Sequence, residues 1–394
     1  MGKKSITVLL ILSQFLGTSL WFVGNISIPQ LPIAEAQDTA AISNVLAAVQ
    51  FGFILGTLLY AFLLIADRFS PSRVFLCSAL LAAFCNMGLL LPHPDFYTIL
   101  TFRFFTGFFL AGIYPVGMKI AADYYEKGLG LALGYLVGAL VLGTAFPHFL
   151  NSFGFQFDYV KITVITSFLA LLGGLLVGFC IPDGPFRRKQ QQFKWNAFAL
   201  LFKTQNFRKA AYGYFGHMWE LYAFWAFLPV LIHSYTEINN AGLNVALWSF
   251  FGIAIGALSC ALGGHLSVTW GSKKVAGLSL RISGFCCLIS PFAIMFPSFL
   301  FLVFILLWGA AVVADSPQFS RMIAANTTPE TRGSALTLVN CIGFGISVVS
   351  IQVLGNLPQD FSVKYGYLLL ALGPAFGLWK IGGFQLKMVK NILK

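Results

Sequence analysis

Among the ionisable side chains within long apolar stretches of this sequence, four are placed where they could move a proton or hold a charge. His217 and Glu220 are three residues apart in one stretch, Asp315 lies in a second and Arg103 in a third. A charge in hydrocarbon costs about 2.5–3.5 kcal/mol on insertion scales, so each of these residues is expected to have a partner or a function that offsets this cost. A carboxyl group in such surroundings can take up and release a proton near neutral pH. The predicted proton-coupling residues are Glu220, Asp315, Arg103 and His217.

Structural roles remain open for the two acidic residues. Glu220 could be a neutral group that bonds to His217 or to a neighbouring helix. Asp315 could pair instead with Arg321 or Lys119. In either case the side chain would join helices to one another and move no proton.

Aromatic and amide side chains accompany the ionisable residues and could line a pathway for a solute. On one continuous helix, five polar or aromatic residues of the first stretch would fall within about 60° of one another. This stripe consists of Thr7, Gln14, Thr18, Trp21 and Asn25. The predicted cavity residues are Gln14, Trp21, Asn25, Tyr214, Phe224, Trp225, Trp308 and Asn340. For Asn340 and Ser347, hydrogen bonding between helices is the alternative.

The composition is typical of a chain that lies in a lipid bilayer. Of its 394 residues, 58% are hydrophobic and 10% are charged, whereas soluble domains carry about 25% charged residues. This excludes a soluble enzyme, a disordered tail and a disulfide-stapled secreted domain. The 7 cysteines lie in apolar runs without the spacing of a metal site. Neither a nucleotide-binding loop nor a nucleophile–base pair is recognisable, so we predict no cofactor, no bound metal and no enzymatic activity.

Apolar runs bounded by charge, proline or glycine predict twelve membrane-spanning helices, because about 20 apolar residues cross the hydrocarbon. The predicted spans lie near 5–27, 42–65, 74–91, 98–121, 129–150, 160–181, 209–232, 242–264, 274–296, 298–323, 332–355 and 363–386. These runs are too long for barrel strands and do not alternate. The first run has no small-residue cleavage site, so we predict a retained span rather than a signal peptide.

The placement of Lys and Arg predicts the orientation of the spans. With both termini in the cytoplasm, 18 of these residues fall in inner segments, and the outer loops hold only Lys161 and Lys364. The net charge of +12 therefore reflects topology, and we expect no nucleic-acid partner. We expect a multi-pass monomer in the cell inner (plasma) membrane.

The two halves of the sequence repeat one another. The same pattern occurs in the fourth and tenth spans, 202 residues apart: Gly107, Pro115 and Lys119, then Gly309, Pro317 and Arg321. Parallel repeats of this kind place two bundles about an axis along the membrane normal, with a site between them. We predict an N-terminal six-helix bundle at 1–181, a basic cytoplasmic linker at 182–208 and a C-terminal six-helix bundle at 209–394.

Two signatures of the first half resemble those of the major facilitator superfamily. When the internal repeat is included, this resemblance covers nearly the whole chain. The two signatures are the loop Asp67-Arg68…Arg73 and the fourth-span pair Arg103 and Gly107. The resemblance implies an all-α membrane protein of twelve transmembrane helices in two pseudo-symmetric six-helix bundles. It also implies that the first, fourth, seventh and tenth helices line the pathway and that Arg103 has a coupling role. Snorkelling of Arg103 to the outer interface is the alternative.

The loop after the second span could act as a latch on the cytoplasmic face. Asp67 ends a helix, where the helix dipole favours cations, so it needs Arg68, Arg73 or a neighbouring helix N-terminus against it. The matching loop of the second half has Val268 and Thr269 in place of the Asp-Arg pair. Ordinary membrane anchoring by the two arginines is the alternative. The predicted gate residues are Asp67, Arg68, Arg73, Lys273 and Lys274.

These observations predict a secondary active transporter that moves a small polar organic solute, expected to be anionic, by alternating access. Protonation of Glu220 or Asp315 would supply the coupling, and Arg103 would meet a negative charge. The fifth span lacks the Gly-Pro signature of antiporters in the resembling family, which favours proton-coupled uptake by symport. The alternative is a proton-coupled exporter of drugs, siderophores or metabolites. The partners would be the solute, protons and the lipid bilayer.

Overall fold

The computed structural model describes residues 2–31, 39–125, 129–187, 201–358 and 365–382, and within these ranges the chain forms helices and no β-strand. Within the described residues, eleven helical segments are long and apolar enough to cross a membrane. Their helices are Lys3–Thr18 and Val23–Ser27 (first span), Thr39–Phe62 (second), Pro71–Asn86 (third), Phe96–Leu110 and Tyr114–Tyr124 (fourth), Leu129–Asn151 (fifth), Tyr159–Cys180 (sixth), Gln205–Asn239 (seventh), Val245–Trp270 (eighth), Ser272–Ala293 (ninth), Ser298–Ala314 and Ser316–Ala325 (tenth), and Pro329–Gly355 (eleventh).

The twelfth predicted span is a shorter apolar segment, Gly366–Ile381. It begins with a 3-10 turn and continues as the α-helix Leu372–Ile381. Parts of the predicted span 363–386 and of the predicted linker 182–208 lie outside the described residues. The bounds of the three predicted segments, 1–181, 182–208 and 209–394, therefore stay predictions. Below, "inner side" means the side that the Lys and Arg distribution predicts to face the cytoplasm.

Three spans consist of two consecutive helices rather than one. The first span is interrupted between Thr18 and Val23, the fourth between Leu110 and Tyr114, and the tenth at Asp315. In the fourth and tenth spans a proline occupies the first turn of the second helix. Proline fits there because the first turn has no intrahelical partner for a backbone N–H. The repeat-related prolines thus begin equivalent helices in the two halves.

Repeat-related glycines have the same packing role in each half. A Cβ atom on Gly107 would overlap the carbonyl oxygen of Val49 in the second span. A Cβ atom on Gly309 would likewise overlap the carbonyl oxygen of Gly252 in the eighth span. Glycine therefore allows the backbones of two spans to touch in each half. The sequence repeat therefore corresponds to an equivalent close contact between two spans in each half.

The second and eleventh spans pack against each other across the two halves. Ser347 donates a hydrogen bond to Oε1 of Gln50 at 2.7 Å, and Gln352 donates to Oδ1 of Asn44 at 3.1 Å. Amide and hydroxyl groups inside a membrane favour partners on neighbouring helices, because lipid offers none. Ser347 therefore forms a hydrogen bond between helices, which is the alternative role considered from the sequence.

The fifth and eighth spans form the second interface between the halves. Near the outer side, Asn244 donates to the carbonyl oxygen of Ser152 at 3.0 Å. Toward the inner side, the hydroxyl of Tyr135 lies 3.3 Å from Nε2 of His265. Between them Gly138 faces the backbone of the eighth span, which lets the two helices run close together.

Candidate functional site

His217 and Asp315 form a buried pair between the seventh and tenth spans. Nδ1 of the imidazole lies 2.7 Å from Oδ1 of the carboxyl group, and the two side chains are 1% and 2% exposed. Asp315 is not paired with Arg321 or Lys119, the partners considered from the sequence. At this distance, and away from water, a charge on one group acts strongly on the other.

The interruption of the tenth span positions Asp315. This residue ends the helix Ser298–Ala314 and precedes Ser316–Ala325, whose first turn contains Pro317. Its backbone carbonyl oxygen accepts the N–H groups of the next turn, and its side chain stays free to reach the seventh span. A negative charge before a helix N-terminus is also favoured by the helix dipole.

Glu220 is enclosed within the C-terminal half by three hydrogen-bond donors. Trp308 donates its indole N–H to Oε1 at 2.7 Å, Ser283 donates to Oε2 at 2.9 Å, and the thiol of Cys287 lies 3.3 Å from Oε1. All three donors belong to the ninth and tenth spans. Of the two structural roles considered from the sequence, bonding to neighbouring helices is therefore the one present, and His217 is not the partner.

Arg103 is buried in the N-terminal half, where it binds oxygens of three residues. Its Nη1 donates to Oδ1 of Asn86 at 2.7 Å, and its Nη2 donates to the carbonyl oxygens of Leu20 and Trp21, each at 2.9 Å. These carbonyl oxygens are available because the first span is interrupted there. The guanidinium is 0% exposed and, among the described residues, contacts no carboxylate. It therefore does not reach the outer interface.

Asn86 is a residue that the sequence analysis missed. Besides accepting from Arg103, it donates its amide to the hydroxyl of Ser167 at 2.9 Å. It thus joins the third, fourth and sixth spans. The signal that could have identified it is an amide within an otherwise apolar run, the same signal that Gln50 gives in the second span.

Buried aromatic rings from both halves contact one another. The Trp21 ring centroid lies 5.0 Å from Phe53, 5.7 Å from Tyr222 and 5.8 Å from Phe344. Tyr222 in turn lies 5.2 Å from Trp225. We call these five residues the aromatic layer. Two of its members belong to the N-terminal half and three to the C-terminal half, so the layer joins the halves.

The other predicted cavity residues of the C-terminal half have different surroundings. Phe224 and Trp308 pack on each other at 4.6 Å, beside Glu220. The ring of Tyr214 lies 5.8 Å from His217, and Asn340 is partly exposed in the eleventh span. The structure therefore brings Trp21 and Trp225 together in one layer and places Phe224 and Trp308 in a separate contact.

The polar stripe of the first span does not lie on one continuous helix, as the sequence analysis assumed. Because the helix is interrupted after Thr18, the Trp21 ring lies in the aromatic layer. Gln14 lies before the interruption, beside Gly117 of the fourth span. Asn25 lies after it and is 8% exposed. The 60° estimate required an uninterrupted helix, so it does not apply to this span.

The predicted gate has a different ion pair from the one expected. Nζ of Lys119 lies 2.8 Å from Oδ1 of Asp67, so the fourth span supplies the partner rather than the arginines of the loop. In the second half, the repeat-related Arg321 donates to the hydroxyl of Ser267 at 3.0 Å. A basic residue of the fourth or tenth span thus binds a residue at the inner end of the second or eighth span in each half. The exposed gate residues are Arg68, Arg73, Lys273 and Lys274.

The described start of the linker is attached to the same loop. Arg187 donates to the carbonyl oxygens of Asp67 and Phe69 at 3.2 and 2.7 Å and pairs with Asp183. Asp183 also accepts from Ser70 at 2.7 Å. These bonds satisfy carbonyl oxygens at the end of the short helix Ile65–Arg68.

Comparison with known proteins decides the family. A family model described as Major Facilitator Superfamily matches residues 10–351. The chain belongs to the major facilitator superfamily. A curated relative named "Uncharacterized MFS-type transporter YceJ", from Bacillus subtilis (strain 168), is 24% identical over 348 residues. That alignment covers 84% of this chain and 84% of the relative.

Membership of the major facilitator superfamily makes this chain a multi-pass membrane transporter of all-helical fold. The predicted family and fold class are therefore confirmed. Within the described residues, no group of three or more His, Cys, Asp or Glu side chains could hold a metal ion.

Proposed function

We propose that this major facilitator superfamily transporter couples the movement of a small polar organic solute to protons, with His217 and Asp315 as the proton site. The observation that carries the proposal is the 2.7 Å contact between Nδ1 and Oδ1 of this buried pair. With one shared proton the pair is neutral overall. Gain or loss of a proton leaves a net charge in a low-dielectric site, which is costly. Protonation can therefore bias the packing of the seventh and tenth spans.

The proposal gives Glu220 a structural role and moves coupling to the neighbouring pair. Glu220 is held by three donors on the ninth and tenth spans, so a change of its proton would break bonds within one bundle. Arg103 is held in the other bundle by Asn86 and two carbonyl oxygens. We propose that Arg103 positions the interrupted first span and acts on coupling only through it.

The solute site in this proposal is the aromatic layer between the two halves. Trp21 of the first span and Trp225 of the seventh span both belong to it. Because both Nη atoms of Arg103 already bind oxygen atoms of the protein, the proposal assigns recognition of an anionic solute to N–H and O–H donors of the layer. Uptake is the proposed direction, by a monomer in the inner (plasma) membrane with both termini cytoplasmic.

Proteoliposomes that contain the purified chain and the internal pH dye pyranine test the coupling. Labelled solutes from several classes, including aromatic acids, amino acids and sugars, are added outside under an inward proton gradient. Solute uptake should acidify the interior, and an uncoupler should abolish accumulation above equilibrium. Uptake that is unaffected by both the gradient and the uncoupler would contradict proton coupling.

A further inference from the structure

Two indole N–H groups of the aromatic layer have no hydrogen-bond partner among the described residues. Trp21 and Trp225 are both 0% exposed, and neither Nε1 atom is bonded. Elsewhere in the chain, Trp308 and Trp219 each donate their N–H to an oxygen atom. A buried donor without a partner costs about 1–3 kcal/mol. Two such donors in one layer therefore need an explanation that packing alone does not give.

Both indoles contact the same tyrosine, Tyr222. The Trp21 ring is stacked on Tyr222 with an interplanar angle of 26°, whereas the Trp225 ring meets it edge-on at 74°. Trp21 belongs to the first span and Trp225 to the seventh. The aromatic layer therefore contains one indole N–H group without a partner from each half of the transporter.

The second and fifth spans also contain buried polar atoms without a partner among the described residues. Nε2 of Gln50 has no partner among the described residues, although Oε1 of the same side chain accepts from Ser347. Nε2 of His148 in the fifth span is also unpartnered. The His148 ring lies 6.3 Å from Phe22, which itself lies 6.4 Å from Trp225. All these side chains are at least nine-tenths buried.

The chemistry of these groups selects a class of solute. An indole nitrogen and an amide nitrogen only donate, so the atoms that they bind must be acceptors. The faces of Trp21 and Tyr222 suit a planar apolar body. A carboxylate can accept from both indoles through charge-assisted hydrogen bonds. Of the two acidic groups described above, Glu220 accepts from three donors and Asp315 lies 2.7 Å from His217, so an ammonium group would have to displace one of these contacts.

We infer that the aromatic layer binds a planar aromatic carboxylate, whose oxygens accept from the indole N–H groups of Trp21 and Trp225. This inference rests on the proposed function, since it takes the layer between the halves as the solute site. Opening of the interface exposes the layer to one side of the membrane, and the solute then replaces the ring contacts between the two halves.

Matched probes of opposite terminal chemistry test the inference on the full chain in nanodiscs at a fixed pH. Indole-3-acetate and tryptamine share a ring but end in a carboxylate and an ammonium group. Calorimetry and the thermal unfolding midpoint report binding, since a ligand of the folded state raises that midpoint. Indole-3-acetate, and with it benzoate or phenylacetate, should bind and raise the midpoint. Tryptamine and the non-planar cyclohexylacetate should not.

Two variants remove one donor each and keep a planar ring. Trp21→Phe and Trp225→Phe should each raise the Kd of indole-3-acetate by about tenfold, the loss expected for a hydrogen bond to a charged acceptor. Trp379→Phe is the control, because Trp379 is 63% exposed in the twelfth span. Unchanged unfolding midpoints without ligand show that the variants are folded.

Three results would overturn the inference: tryptamine binding as tightly as the acid, unchanged binding in both phenylalanine variants, or failure of all three aromatic acids to bind. Because binding is measured without a gradient, it does not depend on proton coupling. Acid binding that requires both indoles, together with flux independent of the proton gradient, would support this inference and reject the proposed coupling. Proton-coupled flux of another solute, without binding of the aromatic acids, would support the proposed coupling and reject this inference.

Discussion

The guanidinium of Arg103 donates to the backbone carbonyl oxygen of Trp21 at 2.9 Å, and the ring of the same tryptophan stacks on Tyr222 of the opposite half. A charged residue of the fourth span thus fixes the backbone of the residue that joins the two bundles. Because a guanidinium has five donors in a rigid fork, one side chain can bind Asn86 and two carbonyl oxygens together.

Replacement of Arg103 by lysine should destabilise the fold although it keeps the charge. A lysine ammonium cannot reproduce the fork, so the carbonyl oxygens of Leu20 and Trp21 lose partners in a buried site. We expect the free energy of unfolding to fall by about 2–4 kcal/mol, measured by thermal or denaturant unfolding in detergent. Arg281→Lys is the control, because Arg281 is exposed on the ninth span. Equal, small effects of the two substitutions would refute the bridging role.

Alanine at either of the two repeat-related glycines should disrupt the fold. At Gly107 the added methyl group would overlap the carbonyl oxygen of Val49, and at Gly309 that of Gly252. Because backbone on both sides resists movement, we expect a loss of several kcal/mol or a failure to accumulate in the membrane. Expression and size-exclusion profiles report this. Gly345→Ala should be neutral or slightly stabilising, since a Cβ atom there meets nothing within 4 Å.

The role of Glu220 as a structural centre can be separated from proton coupling by an amide substitution. In Glu220→Gln one oxygen becomes an NH₂ group that faces a donor, so we expect a loss of about 1–3 kcal/mol of unfolding free energy. Unfolding measurements in detergent check this. Glu237→Gln is the matched control on the same helix, where the side chain is exposed. Similar midpoints for the two variants would show that the three donors contribute little.

Covalent linkage of the second and eleventh spans should block transport. The side chains of Asn44 and Gln352 meet at 3.1 Å near the outer side, and alternating access requires these ends to separate. The double variant Asn44→Cys and Gln352→Cys, treated with a short thiol cross-linker, should lose solute uptake and regain it after reduction. The single variants treated in the same way control for the native cysteines. Full activity of the cross-linked chain would show that this interface does not open.

The sequence predicted the spans and the repeat because both depend on local or periodic properties. The length of each apolar run predicted the spans. The pattern that begins at Gly107 and recurs at Gly309 predicted equivalent helices in the two halves. His217 and Glu220, three residues apart on one helix face, do both contact the tenth span. Intrinsic helix geometry was sufficient for these predictions.

Partners across the fold could not be predicted in the same way. The interruption of the first span contains neither proline nor glycine, so no residue between Thr18 and Val23 signalled it. Arg103 binds the carbonyl oxygens exposed there, and Lys119 rather than a loop arginine pairs with Asp67. These contacts depend on which helices become neighbours, and residue spacing along the chain does not contain that information.

Proton-driven uptake by three variants in proteoliposomes tests the central claim, that His217 and Asp315 hold the coupled proton. The solute with the largest flux in the wild-type chain is used, and counterflow without a gradient is measured in parallel. Asp315→Asn and His217→Gln should lose uptake driven by the proton gradient and keep counterflow. His233→Gln, exposed on the same helix, should keep both. Gradient-driven uptake at the wild-type level in Asp315→Asn and His217→Gln would contradict the claim.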